Sequence, residues 1–197
     1  MLESRHKKLI LKQIHMKRIY FFLVPISFFL VVAMVIAAKE AHMQLISPAF
    51  EDGGRIPLKY VMPAAGGKNL SPPLTWSEEP KGTKSFALLC VDPHPVAQNW
   101  VHWMVINIPA DIHHLEEGAS GHAMPPGAKE LKNSFGFVGY GGPQPPPGTG
   151  DHPYVFTIFA LDIEKLDLPE DINLKGFQKA ISPHILAKGQ LTGYFGR

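Results

Sequence analysis

The sequence has almost no cysteine, the residue that builds disulfides and thiolate metal clusters. It contains one cysteine among 197 residues, so an intrachain disulfide and a thiolate metal cluster are both excluded. That residue, Cys90, lies inside the apolar run 86–91, where a buried and unreactive thiol is expected. We assign it no role in function.

Motifs of several enzyme classes are also missing. No Gly-x-Ser-x-Gly turn surrounds Ser71 or Ser134, and no phosphate-cradling Walker sequence is present. The sequence therefore predicts no catalytic residue and no cofactor. A metal-dependent hydrolase is kept only as a third hypothesis, because three His or carboxylate ligands and a water can form a zinc centre, yet no His-Glu-x-x-His helix supports one. Its ligands would be Asp92, His94, His102 and His152.

Outside the amino terminus the chain has no excess of positive charge. Six bases precede residue 19 against a single acid, Glu3, although the whole chain carries a net charge of only +2. Removing those six bases and one acid leaves 13 bases and 16 acids, a net charge of −3. The body of the protein therefore gives no reason to expect nucleic-acid binding.

An uncharged apolar run at residues 19–38 follows these bases. A basic leader before an apolar segment is typical of an export signal or a membrane anchor. About 20 apolar residues are enough to span the hydrocarbon of a bilayer, but Val35-x-Ala37 and Ile36-x-Ala38 resemble signal-peptidase sites, which favours cleavage. We expect an exported protein, periplasmic or extracellular, with anchoring by this run as the alternative.

The apolar run also sets the predicted domain boundaries. Residues 1–38 are predicted to be a basic leader with a signal peptide or anchor, and residues 39–197 a single domain. Met16, followed by two bases, is a candidate for the true start of translation. Contact with a membrane is expected only through the amino-terminal segment.

Proline and glycine, at 19 and 18 residues, separate short apolar runs rather than forming one low-complexity tract. The strongest predicted strands are 85–92, 101–108 and 154–163, in which both the odd-numbered and the even-numbered positions are mostly apolar. Continuous apolarity predicts that both faces of their sheet are covered. Shorter strands are predicted within 44–50 and 55–62.

Helical spacing occurs near the carboxyl end. Leu174, Phe177, Ala180 and Ile181 recur with helical periodicity. Ser182-Pro183 is predicted to begin a second short helix carrying Ile185 and Leu186, before an extended segment 190–195.

Polar side chains mark the ends of the three strongest strands. Alternate residues of a strand point to one face, so a strand carries a row of apolar side chains, here called a stripe, on that face. One polar residue continues such a stripe at the end of each strand: Asp92, His102 and His152. The stripe that His102 continues contains Met104 and Ile106. A pocket opens where polar groups end core-facing stripes, so these three ends are predicted to converge on one site.

The segment 139–153 alternates glycine with proline. Glycine allows the oxygens of a ligand to approach backbone N–H groups, and proline holds the shape of the loop. With hydrogen-bond donors from His102, His152 and Tyr154, the loop predicts an anion-selective pocket. Asp92 is expected to fix the tautomer of a histidine and favour its charged form; the alternative is a protonated Asp92 that itself donates.

These residues fall into two separated motifs. The first is Asp92-Pro93 with Trp100-x-His102-Trp103, and the second is Tyr140-x-Gly142-Pro143-x-Pro145-Pro146-x-Gly148-x-x-His152-x-Tyr154. Together they resemble the signature regions of phosphatidylethanolamine-binding proteins, in particular the bacterial and archaeal Raf-kinase-inhibitor-like subgroup.

The resemblance implies a mainly β fold with a large central antiparallel sheet, a smaller second sheet and short peripheral and carboxyl-terminal helices. The predicted ligand-binding residues are Asp92, Trp100, His102, Tyr140, Gly142, Pro143, His152 and Tyr154. Two positions depart from the family pattern and concern ligand preference more than fold: His94 follows Asp92-Pro93, and Pro153 separates the second histidine from the tyrosine.

The predicted function is non-enzymatic binding of a small anion or phospholipid head group, such as phosphate or phosphoethanolamine. The second hypothesis is an inhibitor of a kinase or protease that works through the proline-rich loop. The protein partner and the oligomeric state are left open, with a homodimer as one option.

Overall fold

The computed structural model describes residues 43–197, and this part of the chain is mainly β. The strands are β1 (Gln44–Ile46), β2 (Gly54–Arg55), β3 (Leu74–Ser77), β4 (Ser85–Asp92), β5 (Trp100–Pro109), β6 (His114–Leu115), β7 (Lys129–Glu130), β8 (His152–Leu161) and β9 (Ile185–Phe195). The α-helix is α1 (Leu174–Ile181), and 3-10 helices span Leu58–Tyr60, Pro63–Ala65 and Ser182–His184.

The strands form two sheets. The large sheet has the order β2-β9-β8-β4-β5-β7, and the small sheet has the order β1-β3-β6. All pairings between these strands are antiparallel except that of β2 with β9, which is parallel. The predicted arrangement of a large and a smaller sheet with short helices is confirmed.

The large sheet is covered on both faces, as the apolarity of its central strands predicts. One face packs with the small sheet around Trp76, Leu88 and Trp103. The other face packs against α1, whose Phe177 and Ile181 are buried. Each central strand therefore contributes to two cores.

Two sequence predictions of local structure are wrong. Residues 58–60 form a 3-10 helix instead of continuing a strand, because Pro57 and Pro63 flank this segment and cannot donate to a β ladder. Ile185 and Leu186 begin β9 and do not extend the short helix that starts at Ser182.

A β-bulge in β5 determines which face one key side chain reaches. Cys90 pairs with Trp103 and Val91 pairs with Val101, so His102 is the extra residue on its strand. A bulge turns the inserted side chain away from strict alternation. His102 therefore lies on the side of Trp103 and not on the opposite face with Met104.

The amino-terminal leader and the predicted signal or anchor lie outside the described residues, so they stay predictions. Within residues 43–197, no helix is both long and apolar enough to cross a bilayer.

Candidate functional site

A cavity of about 400 Å³ opens where the end of β4, the start of β5 and the start of β8 meet the loop 141–150. Its walls contain polar groups from all three strands and apolar groups from the surrounding loops. The lining residues are Asp92, Val96, Ala97, Trp100, His102, Phe135, Gln144, Pro145, Pro146, His152 and Tyr154.

The ring of His102 is buried and fixed by the loop. Its Nδ1 donates to the carbonyl of Gly141 at 2.5 Å, and the amide of Gly141 donates back to the backbone carbonyl of His102 at 2.8 Å. Burial lowers the pKa of this histidine to about 4, against smaller opposing effects of the Gly141 carbonyl and Asp92. His102 is therefore neutral near pH 7, with the lone pair on Nε2. The sequence-based expectation that it donates to an anion needs this correction.

Asp92 and His152 form a buried pair. Asp92 Oδ2 lies 2.6 Å from Nδ1 of His152, and both side chains are at most 4% exposed. The other oxygen, Oδ1, accepts from the backbone amide of His94 at 2.9 Å. Asp92 thus orients a histidine, as predicted, and the histidine is His152.

Hydrogen bonds around Thr149 determine how many protons this pair carries. The Thr149 hydroxyl donates to the carbonyl of Pro146 at 2.7 Å, and its oxygen lies 2.9 Å from Nε2 of His152. A hydroxyl has one proton, so Nε2 of His152 is the donor to Thr149. A second proton lies between Nδ1 of His152 and Asp92, so the pair as a whole is neutral.

Tyr154 supplies an unused donor. Its side chain is 1% exposed and lines the cavity, and its hydroxyl has no hydrogen-bond partner within residues 43–197. Burial and the nearby Asp92 raise its pKa, while the Gln144 backbone and Arg197 act weakly in the opposite direction. The hydroxyl is therefore protonated and available to a ligand.

Aromatic side chains form the outer wall. Trp100, one of the predicted ligand-binding residues, is 39% exposed and contacts Phe135 edge to face at 5.3 Å. Phe135 also contacts the ring of His102 and stacks on Phe137. Opposite them, His94 stacks on His152 at 3.8 Å, which gives this departure from the family pattern a structural role in supporting a pocket residue.

Three of the predicted ligand-binding residues do not line the cavity. Tyr140 donates its hydroxyl to the carbonyl of Tyr60 at 3.0 Å. The amide of Gly142 donates to the Asn69 side chain, and the carbonyl of Pro143 accepts from Met62. These residues fasten the loop to the segment 60–69 behind the site.

The glycines of the loop have a different role from the predicted one. The amides of Gly139, Gly141, Gly142 and Gly148 all donate within the protein, so they are not offered to a ligand. A backbone that packs this closely needs glycine for steric reasons. At Gly142, an added Cβ would collide with the backbone carbonyl of Tyr60.

Replacing Gly142 with alanine is therefore expected to destabilise the protein by about 1–3 kcal/mol. The obstructing atoms are backbone atoms of Tyr60 and Met62, which cannot move without shifting the loop. Urea denaturation measures the change. Gly176→Ala is the matched control, because its nearest neighbour is the flexible side chain of Ile172 and alanine favours the helix. Equal stability of the two variants would contradict the prediction.

The sequence analysis missed part of the apolar wall. Phe135, Val96, Ala97 and Gln144 line the cavity but were not singled out. The aromatic residues on either side of Gly136 were the available signal for Phe135, since a glycine turn presents its neighbours at the surface. Val96, Ala97 and Gln144 carried no such signal.

No group of three or more His, Cys, Asp or Glu residues within residues 43–197 is arranged to hold a metal ion. The ligands proposed for a hydrolase are occupied in other ways. Asp92 and His152 bind one another, and His94 stacks face to face on the ring of His152.

Comparisons with known proteins show the family of this chain. The sequence model of the family described as phosphatidylethanolamine-binding protein matches residues 46–196. The UPF0098 protein YbhB of Escherichia coli is 42% identical over 160 residues, which cover 78% of this chain and 99% of that protein. The putative lipoprotein LppC of Mycobacterium tuberculosis is 36% identical over 159 residues, which cover 81% of this chain and 75% of that protein.

A solved structure shows the same fold. The crystal structure of Escherichia coli YbcL, described as a new member of the mammalian PEBP family, superposes with a TM-score of 0.76 at 34% identity and covers 80% of this chain and 99% of that one. The sequence, the fold and the motif residues around the cavity lead to one conclusion. The chain belongs to the phosphatidylethanolamine-binding protein family, in the bacterial and archaeal subgroup that includes YbhB and YbcL.

Proposed function

We propose that the protein binds a small oxyanion, such as the phosphate group of phosphoethanolamine or of a phospholipid head group, in the cavity between β4, β5 and β8, without catalysing a reaction. The observation that carries the proposal is the hydroxyl of Tyr154, which is buried, protonated and without a partner in the described part of the chain. A buried donor without a partner is costly unless a ligand satisfies it.

The size and composition of the cavity support this proposal. A volume of about 400 Å³ is in the range of small-molecule sites, which combine apolar walls with a few placed polar groups. The aromatic wall of Trp100 and Phe135 offers a surface for the organic part of a ligand or for an ammonium group. Membership of the family supports a binding function in general.

Tyr154→Phe tests the proposal directly. A hydrogen bond to a charged group contributes about 1.5–3 kcal/mol, so the variant is expected to bind phosphoethanolamine roughly 10–100-fold more weakly. Calorimetric titration of the full-length chain, in a detergent without phosphate, measures the affinity.

Tyr140→Phe is the matched control. It removes a buried hydroxyl from the same region, but one that is bound to Tyr60 and lies outside the cavity. We expect it to change stability and not affinity. If Tyr154→Phe binds as tightly as the unmodified protein, the hydroxyl does not contact the ligand and the proposal fails.

We infer that the protein works outside the cytoplasm, as the amino-terminal sequence predicts; one relative is named a putative lipoprotein.

The proline-rich loop forms part of the cavity wall through Pro145 and Pro146. Inhibition of a kinase or protease through this loop therefore remains a separate hypothesis, and its test must show that loop variants keep the cavity intact.

A further inference from the structure

The hydrogen bonds of His102 fix which of its nitrogens faces a ligand. Nδ1 is committed to the carbonyl of Gly141, and the amide of Gly141 holds the backbone of His102 from the other side. Turning the ring over would break the first bond and leave the carbonyl of Gly141 unsatisfied in a buried position. Nε2, with its lone pair, is therefore the ring nitrogen left for a ligand in the cavity that His102 lines.

The titratable groups that face His102 come from β4 and β8, and they have other partners or no proton to give. Asp92 on β4 is paired with His152, and the loop presents the carbonyls of Gly141 and Gly142. On β8, His152 uses both of its nitrogens for Asp92 and Thr149. Tyr154 is the remaining side-chain donor on that strand.

An oxyanion in the cavity can accept from the Tyr154 hydroxyl, but where it meets His102 a fully deprotonated oxygen would face the lone pair on Nε2. Two lone pairs facing one another repel, and burial strengthens that repulsion. A proton placed between the anion and Nε2 converts the repulsive contact into a hydrogen bond. Without a ligand, His102 does not carry this proton at neutral pH, because burial lowers its pKa to about 4.

We propose that the cavity binds an oxyanion together with one proton, which lies between an oxygen of the anion and Nε2 of His102. The site consequently prefers phosphomonoesters to phosphodiesters and sulfate. This inference rests on the anion binding proposed above and names the ligand class of the same cavity.

The ligand preference follows from the chemistry of the anions. A phosphomonoester has its second pKa at about 6, so it can bring the proton itself near neutral pH. A phosphodiester and sulfate carry no proton at that pH, so His102 would have to be protonated at a site that disfavours its charge. These anions share a tetrahedral arrangement of oxygens and differ in the proton that they can carry near neutral pH.

The test is calorimetric titration of the full-length chain with phosphoethanolamine, glycerophosphoethanolamine and sulfate, between about pH 6 and pH 8. Two buffers with different ionisation enthalpies report the number of protons taken up. We expect phosphoethanolamine to bind at least roughly tenfold more tightly than the other two at the lower pH. We also expect its binding at the higher pH to take up about one proton per site.

His102→Gln provides the decisive comparison. Its amide presents an N–H donor at about the position of Nε2 and does not titrate, so the preference for the monoester and the proton uptake should both disappear. Circular dichroism checks that the variant is folded. If phosphoethanolamine and the diester bind the unmodified protein equally, with no proton uptake, this inference is overturned while anion binding stands. If none of the three ligands binds, the proposed function itself falls.

Discussion

Replacing Asp92 with alanine is expected to lower the free energy of unfolding by about 3–5 kcal/mol. Asp92 and His152 are almost completely buried and lie 2.6 Å apart. Without the carboxylate, His152 either keeps a charge that nothing neutralises or loses a proton and a hydrogen bond in a place that water does not reach. Chemical denaturation of the unmodified and variant proteins at neutral pH measures the change.

The chain contains a matched control for this substitution. His184 Nδ1 and Asp162 form the same kind of pair at 2.8 Å, but with side chains 31% and 49% exposed. Asp162→Ala is expected to cost less than about 1 kcal/mol, because solvent screens exposed pairs. The double variant of Asp92 and His152 should cost less than the sum of the two single variants. If Asp92→Ala and Asp162→Ala lose a similar free energy of unfolding, burial does not determine how much such an ion pair stabilises the protein.

The free energy of unfolding is expected to fall by about 3 kcal/mol between pH 6.5 and pH 4 on account of His102 alone. In the unfolded chain this histidine has a pKa of 6.5, whereas burial in the fold lowers it to about 4. At pH values between these two pKa values, His102 is protonated in the unfolded chain but neutral in the folded protein, so lowering the pH favours unfolding. Above pH 6.5 both states are neutral at this position, and the effect is absent.

His102→Gln isolates this contribution. Denaturation of both proteins across the acid range should show that the difference in stability between them narrows as the pH falls, because only the unmodified protein loses this contribution. Tyr140→Phe, which removes a neighbouring buried hydroxyl and no histidine, should keep the full pH dependence. A constant difference between the unmodified protein and His102→Gln would mean that the fold does not lower the pKa of His102.

Much of the fold could be predicted because it depends on local pattern. The runs of apolar residues at 85–92 and 101–108 give the bounds of β4 and β5 to within a residue. Their apolarity on both parities predicts a sheet covered on both faces. The periodicity around Phe177 likewise predicts α1. These patterns depend only on residues that are close together in the chain, so they can be read from the sequence alone.

The polar residues of the candidate site were largely predictable, whereas part of its apolar wall and its geometry were not. Two motifs identified Asp92, Trp100, His102, His152 and Tyr154, which all line the cavity. Strict alternation, however, places His102 on the face of Met104, and only the bulge opposite Cys90 and Val91 turns it into the cavity. A bulge depends on how two distant strands align, and one strand alone does not specify that register.

The sequence by itself determined the fold class, the family and the residues that could carry chemistry, since periodicity and motif spacing are properties of the chain. Only the tertiary structure decided the role of each group. Nδ1 of His102 donates to the Gly141 carbonyl, which leaves Nε2 as the acceptor. His152 donates from Nε2 because the Thr149 hydroxyl uses its one proton in a hydrogen bond to the Pro146 carbonyl. Tyr140 bonds to Tyr60 instead of lining the cavity. Donor and acceptor roles depend on partners that are distant in sequence, and folding alone brings those partners within hydrogen-bonding distance.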